Sequence, residues 1–154
     1  IQKYLKHGDR VLDVGTGSGI LAIAALKLGA GSAFGTDLDE NAITAARENA
    51  EVNGISEADF GLVQGNIIDD EKIQKAAGLG CYDIVVANIL APVIIMLQGE
   101  AARHLKPGGI FITSGIINTK EEDVKDAFAA NSDWEILEIT HQNDWVSVTA
   151  KKRG

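Results

Sequence analysis

Cysteine is nearly missing: Cys81 is the only one in 154 residues. That excludes an internal disulfide framework and leaves the thiol as a small apolar side chain at a strand entrance. Histidine is sparse as well. His7, His104 and His141 fall far apart on different predicted elements, so surface or capping roles are expected of them and a metal site is not. Aromatic residues make up 5% of the chain, and 14 basic residues face 22 acidic ones for a formal charge of −8. A nucleic-acid footprint needs the opposite bias, whereas a basic protein partner suits this one. No apolar run approaches the ~20 residues of a membrane span. No secretory leader is visible either, which favours the cytoplasm. What remains is a chain that is 45% hydrophobic without low-complexity segments, which fits one domain with a substantial core.

The densest signal is Val11-Leu12-Asp13-Val14-Gly15-Thr16-Gly17-Ser18-Gly19, where a short apolar strand runs into a glycine turn and the turn opens into a helix. Glycines there permit positive φ and close approach of a ligand to the main chain, and the helix N–H groups beyond favour a carboxylate or phosphate. The spacing is not that of a dinucleotide fingerprint, whose third glycine would fall at Ile20 and not at Gly19. Nor is it a P-loop, since Gly19 is followed by Ile20-Leu21 where Lys-Ser/Thr is needed.

Apolar residues at helical spacing up to Leu28 and a strand from Ser32 to Thr36 complete a strand-helix-strand unit, which places both strand ends at one edge of a parallel sheet. Asp37 closes the second strand about 20 residues past the glycine turn, where a carboxylate can accept from ribose hydroxyls. Asp39 is the better cap for the amphipathic helix from 40 to 53, which turns Ile43, Ala46 and Ala50 inward. A third strand is predicted from Ala58 to Gln64, followed after Gly65-Asn66-Ile67-Ile68 by one short helix within residues 69 to 80.

Tyr82 to Ala87 is a near-continuous β-branched run, as expected of a strand buried on both faces, and Asn88 ends it. A turn-forming asparagine is one reading of Asn88. The other is functional: its amide points into the cleft beside the first strand. A helix from Pro92 to His104, a strand from Ile110 to Ser114 and a helix announced by capping-box spacing in Thr119-Lys120-Glu121-Glu122 follow. The strands Trp134 to Thr140 and Trp145 to Lys151 are joined too tightly for a crossover and must be antiparallel. Ile1 to Lys6 reads as the end of a helix. The fold class is therefore α/β, a three-layer Rossmann-like sandwich of about seven mostly parallel strands.

Asp13-Val14-Gly15-Thr16-Gly17-Ser18-Gly19 resembles the first motif, D-x-G-x-G-x-G, of class I S-adenosylmethionine-dependent methyltransferases. Together with Gly35-Thr36-Asp37-Leu38-Asp39 and Ala87-Asn88-Ile89-Leu90-Ala91, nearly the whole chain is similar to the bacterial family that methylates ribosomal protein L11. The resemblance implies a strand order 3-2-1-4-5-7-6 and S-adenosyl-L-methionine as cofactor. It implies donor contacts from Asp13, Gly15, Thr16, Gly17, Ser18 and Gly19 in the turn, Asp37 and Leu38 at the second strand, and Asn66 and Ile67 after the third. It makes Asn88 both a donor contact and the catalytic residue that orients an amine. It also implies a substrate-recognition domain upstream of residues 1–154; the chain opens on Ile1 and has one methionine, Met96. Relatives that clamp a flat group with an aromatic after Asn-Pro-Pro are disfavoured, since the sequence here is Asn88-Ile89-Leu90-Ala91. Methylation of a different small molecule, protein or nucleic acid, a non-catalytic donor-binding module and a nicotinamide oxidoreductase are the alternatives. The shifted glycine and the lack of a Tyr-x-x-x-Lys pair disfavour the last.

Overall fold

A computed structural model describes residues 1–154. Strands β1 (Arg10–Val14), β2 (Ser32–Asp37), β3 (Phe60–Gln64), β4 (Tyr82–Asn88) and β5 (Leu105–Ile117) alternate with helices. These are α1 (Ile20–Lys27), α2 (Glu40–Val52), α3 (Glu71–Ala77) and α4 (Ala91–His104), with α5 (Glu121–Ala130), β6 (Trp134–Gln142) and β7 (Trp145–Lys152) closing the chain. The sheet order is β3-β2-β1-β4-β5-β7-β6. Strands β1 to β5 pair in parallel, and β7 runs antiparallel between β5 and β6. The chain first winds outward from β1 through β2 to β3, then returns through α3 to place β4 on the other side of β1. That reversal opens a crevice at the carboxyl ends of β1 and β4, the place where open α/β sheets take ligands.

Side-chain alternation along the central strands makes two cores. Leu12, Val14, Val85 and Ala87 face the layer of α3, α4 and α5, where Phe111, Phe128 and Trp134 stack with centroids 5.4 to 5.8 Å apart. Val11, Ile84 and Val86 face α1 and α2. On α2 the buried stripe is Ile43, Ala46 and Ala50, and the Asp39 carboxylate caps the helix by accepting from the Asn41 N–H at 2.9 Å. No helix is long and apolar enough to cross a membrane.

Four local expectations are corrected. Ile1 to Lys6 is a single turn, closed by the Leu5 N–H to Ile1 carbonyl bond at 2.9 Å, with Ile1, Tyr4 and Leu5 laid against the second core. The capping box at Thr119 does not form: Asn118–Lys120 is a 3-10 turn, and α5 starts after Lys120 without a side-chain cap. β5 begins at Leu105, which pairs with Tyr82 ahead of a register shift. His104 is not a surface residue. It is fully buried, with Nδ1 2.6 Å from the Gly78 carbonyl oxygen and Nε2 2.7 Å from Glu100 Oε2. The ring thereby ties the end of α4 to the loop before β4, and its removal leaves both a cavity and two stranded acceptors. His104→Ala is expected to lower the unfolding free energy by about 3 kcal/mol. The exposed His7→Ala should shift it by about 0.5 kcal/mol or less. Denaturant titration of both variants checks this, and a comparable small loss for His104→Ala would show that the ring is not a strut.

Candidate functional site

At the switch point the backbone after β1 folds over itself in a left-handed glycine turn, with φ of +70° at Gly15, +57° at Gly17 and +82° at Gly19. The turn is fastened to β2 at two places. The Thr16 N–H donates to the Thr36 carbonyl at 2.9 Å, and the Gly17 N–H donates to Asp37 Oδ2 at 2.9 Å. The other oxygen of Asp37 accepts from the Asp39 N–H at 2.9 Å. One carboxylate therefore joins the glycine turn to the start of α2, and each of its oxygens keeps a further lone pair for a ligand hydroxyl.

Beside this carboxylate lies a cleft of about 330 Å³, within the range of small-molecule sites. Its floor is Val14, Gly15 and Thr36; Asp37 and Leu38 form one wall. Gly65, Asn66, Ile67 and Ile68 after β3 form the back, and Ile89, Leu90 and Val93 after β4 form the opposite wall. Leu38 and Leu90 are 67% and 70% exposed, so each wall ends in an uncovered apolar lip. Asn66 spends its side-chain oxygen locally, accepting from the Ile68 N–H at 3.0 Å, and Ile67 is buried below it. A larger open depression of about 800 Å³ sits between the C-terminal half of α2 and the start of β3, at the opposite edge of the sheet from these strand ends.

The structure brings Gly15, Asp37, Leu38, Asn66 and Ile67 together around the cleft and sets the other candidates apart from its walls. Gly19 is the N-cap of α1 and turns toward α2, where a Cβ would meet Ala46 and Phe60 at 3.1 and 3.2 Å. Ser18 offers its carbonyl to the Asn49 side chain at 2.9 Å. Asp13 and Thr16 lie beneath the turn: the Thr16 hydroxyl donates to Asp13 Oδ2 at 2.9 Å, and Asp13 is 1% exposed. Burial pushes the Asp13 carboxyl up to about 7, against the hydrogen bond from Thr16 and the nearby Ala22 amide, with the charge of Asp37 adding to the rise. Asp13 Oδ1 is buried without a close hydrogen-bond partner. Side-chain alternation carries Asp13 into the sheet and away from the ligand face.

Asn88 also departs from its expected direction. It is exposed, pairs with Ser114 across to β5, and lays its side-chain oxygen over Gly115. The residue that leans toward the first strand is Ile89, whose Cγ2 would lie 2.6 Å from a Cβ on Gly15. Gly115 has φ of +80° at the irregularity between Thr113 and Ile116, and a Cβ there would collide with the Asn88 side chain. Sequence reasoning missed Gly115 and Asn49. A glycine inside a strand marks a bulge, and a polar residue beside the buried stripe of α2 marks a tertiary contact, so both carried a readable signal. No three His, Cys, Asp or Glu side chains converge as a metal would need.

A reversal of strand order, a glycine turn clamped by the acid that ends β2, and an apolar cleft between them define a class I S-adenosylmethionine-dependent methyltransferase domain. Residues 1–153 match the family model described as ribosomal protein L11 methyltransferase, and the chain belongs to that family. The ribosomal protein L11 methyltransferase of Lachnospira eligens is 55% identical over 153 residues, which cover 99% of this chain and 48% of that protein. The chain thus spans about half the length of the curated relatives it matches. The crystal structure of the ribosomal protein L11 methylase from Lactobacillus delbrueckii subsp. bulgaricus superposes with a TM-score of 0.87 at 35% identity, covering 99% of this chain and 74% of that one. An RNA methyltransferase from Salinibacter ruber, solved with S-adenosyl-L-homocysteine, shares the fold at a TM-score of 0.73 and 17% identity, over 97% of this chain and 84% of that one.

Proposed function

We propose that this chain is the donor-binding and catalytic part of an enzyme that methylates amines, lysine side chains or an N-terminal amine, of ribosomal protein L11. The observation that carries the reading is the Asp37 carboxylate, held at the cleft by the Gly17 and Asp39 amides with acceptor capacity to spare. The residues fit S-adenosylmethionine: Asp37 can take the ribose hydroxyls, the apolar Leu38 and Ile67 can flank a purine, and the left-handed backbone at Gly15 and Gly17 keeps the turn free of side chains on the ligand face. Asn66 would meet the purine through its amide N–H groups, since its oxygen is engaged. When bound, the donor supplies a methyl group already activated on a sulfonium, so neither a metal nor a covalent nucleophile is needed.

The chain's own task is then alignment. Asn88 stands outside the donor walls on the β5 side, where it can receive and orient an amine that comes from solvent. Ile89, Leu90 and Val93 make the approach apolar, which disfavours an ammonium and favours the neutral nucleophile. They offer no aromatic face for a nucleobase. The formal charge of −8 suits a basic protein substrate, and the cytoplasm is where such a substrate is made.

Mass spectrometry of ribosomal protein L11 after incubation with the intact protein and isotopically labelled donor tests the assignment. Label on an amine of L11 is expected, and label on ribosomal RNA alone would overturn it. Asp37→Ala should weaken donor binding by about 1 to 3 kcal/mol, because charge-assisted bonds to the ribose are lost and the turn loses its fastening. Calorimetry on the folded variant decides this; unchanged affinity would remove Asp37 from the ribose site.

A further inference from the structure

β5 carries one residue more than β7 can pair. Thr113 registers with Val148 and Ile116 with Val146, so Ser114 and Gly115 stand together opposite Ser147. An extra residue in one strand of an antiparallel pair is a β-bulge, which bends that strand and re-aims the side chains around it. Two hydroxyls pin this one. The Thr113 side chain donates to the Val148 carbonyl at 2.7 Å, and the Ser147 side chain donates back to the Thr113 carbonyl at 2.6 Å. Thr113 and Ile116, on either side of the bulge, are fully buried. On its other edge β5 still follows β4 to their last pair, Ser114 with Asn88.

At Gly115 the backbone is left-handed, with φ of +80°. A Cβ there would collide with the side-chain oxygen of Asn88 and come 3.3 Å from the Ile89 carbonyl oxygen and 3.5 Å from the Ile89 nitrogen. From the β1 side, a Cβ on Gly15 would meet Ile89 Cγ2 at 2.6 Å. The end of β4 is therefore held between two residues without side chains, one from each neighbouring strand of the sheet. Ile89 carries this contact to the cleft, whose wall it forms, while Asn88 is exposed beside it. An exposed asparagine has several staggered rotamers open to it, and contact with main chain at Gly115 restricts that choice.

We propose that Gly115 is a positioning residue for methyl transfer: by presenting main chain and no Cβ to Asn88, the bulge sets the direction from which the Asn88 amide orients the amine. The inference rests on the amine-orienting reading of Asn88. A methyl group at position 115 takes the space of the Asn88 oxygen, so the amide must rotate away. The Ile89 backbone need give by only a few tenths of an ångström, and Gly115 itself is not among the donor walls. Donor binding is then kept while the amine is misplaced.

The test compares wild type, Asn88→Ala, Gly115→Ala and the double variant in the intact protein. Single-turnover rates on L11 at saturating donor are read beside donor affinity by calorimetry, with circular dichroism as the folding check. Gly115→Ala should lose roughly ten- to a hundredfold in rate, the scale of a misplaced reactant, with donor affinity within about threefold of wild type. Beside Asn88→Ala the same change should cost less than about twofold more, because no side chain remains to be displaced. A merely structural role predicts equal losses in both backgrounds, and that result overturns the proposal. So does wild-type turnover in Gly115→Ala, or a loss of donor affinity that matches its loss of rate. Should Gly115→Ala not fold, Ser147→Ala carries the same comparison, since it unpins the bulge without adding an atom. It should slow turnover about threefold or more in the wild-type background and less than about twofold beside Asn88→Ala, and equal slowing in both overturns the proposal. Wild-type turnover in Asn88→Ala removes the amine-orienting reading and this role with it. Absence of label on L11 with wild type overturns the proposed function itself.

Discussion

Asn88→Ala in the intact protein is expected to lower turnover by roughly ten- to a thousand-fold, about 1.4 to 4 kcal/mol in the barrier, while donor affinity moves by less than about threefold. The split follows from where the side chain stands. Asn88 does not line the donor cleft; it ends β4 on the β5 side with its oxygen over Gly115. An amide in that place can hold an incoming amine in line and contributes little to holding the donor. Asn88→Asp should be impaired too, for a different reason. A carboxylate stabilises the ammonium form of the substrate, so less neutral amine is present near neutral pH, and the rate should recover partly as pH rises. Single-turnover rates over a pH series at saturating donor measure both variants. Loss of donor binding with the rate preserved would assign Asn88 to the donor walls and end the amine-orienting role.

The second large effect is expected at Gly15. Its φ of +70° costs a residue with a Cβ about 1 to 2 kcal/mol, and the Cβ would also sit 2.6 Å from Ile89 Cγ2. The turn cannot simply shift, because Thr16 and Gly17 are tied to Thr36 and Asp37. Gly15→Val must therefore push Ile89 into the cleft or pull the turn off β2, and either outcome should weaken donor binding more than about a hundredfold. Gly17 is the control. A Cβ there meets no protein atom within 4 Å, so Gly17→Ala bears the backbone penalty at φ of +57° without the steric one. It should fold with a smaller loss of stability, and its binding defect measures how closely the donor approaches that part of the turn. Titration calorimetry with circular dichroism as a folding check separates the two variants. Wild-type affinity in a folded Gly15→Val protein would place the donor elsewhere.

The sheet was legible because its signals are local and agree with one another. The glycine turn, the near-continuous apolar run of β4 and the short link between β6 and β7 each restrict the chain in one way only. The hairpin link is tight enough that Asn143 adopts φ of +56°, which asparagine tolerates. Helix ends were harder, since propensity near Thr119 or Ile1 is weak beside packing. The capping box lost to a 3-10 turn, and the N-terminal segment gained more from laying Ile1, Tyr4 and Leu5 on the core than from extending a helix.

For the site, the sequence by itself determined which strand ends meet. Parallel crossovers force the ends of β1, β2, β3 and β4 to one edge, so the glycine turn, Asp37 and Asn66 had to be neighbours. Only the tertiary structure decided which way the side chains at those ends face. Asp13 went under the turn and not into the cleft, because strand alternation and the Thr16 hydroxyl draw it inward. Asn88 went toward Gly115 and left the space beside β1 to Ile89, because a positive-φ glycine at the β5 bulge opens room on that side. His104 became a buried strut because a carbonyl from the α3–β4 loop and the carboxylate of Glu100 both reached its ring. These outcomes depend on atoms brought from distant parts of the chain to within a few ångströms, and spacing along one strand or helix carries no record of them.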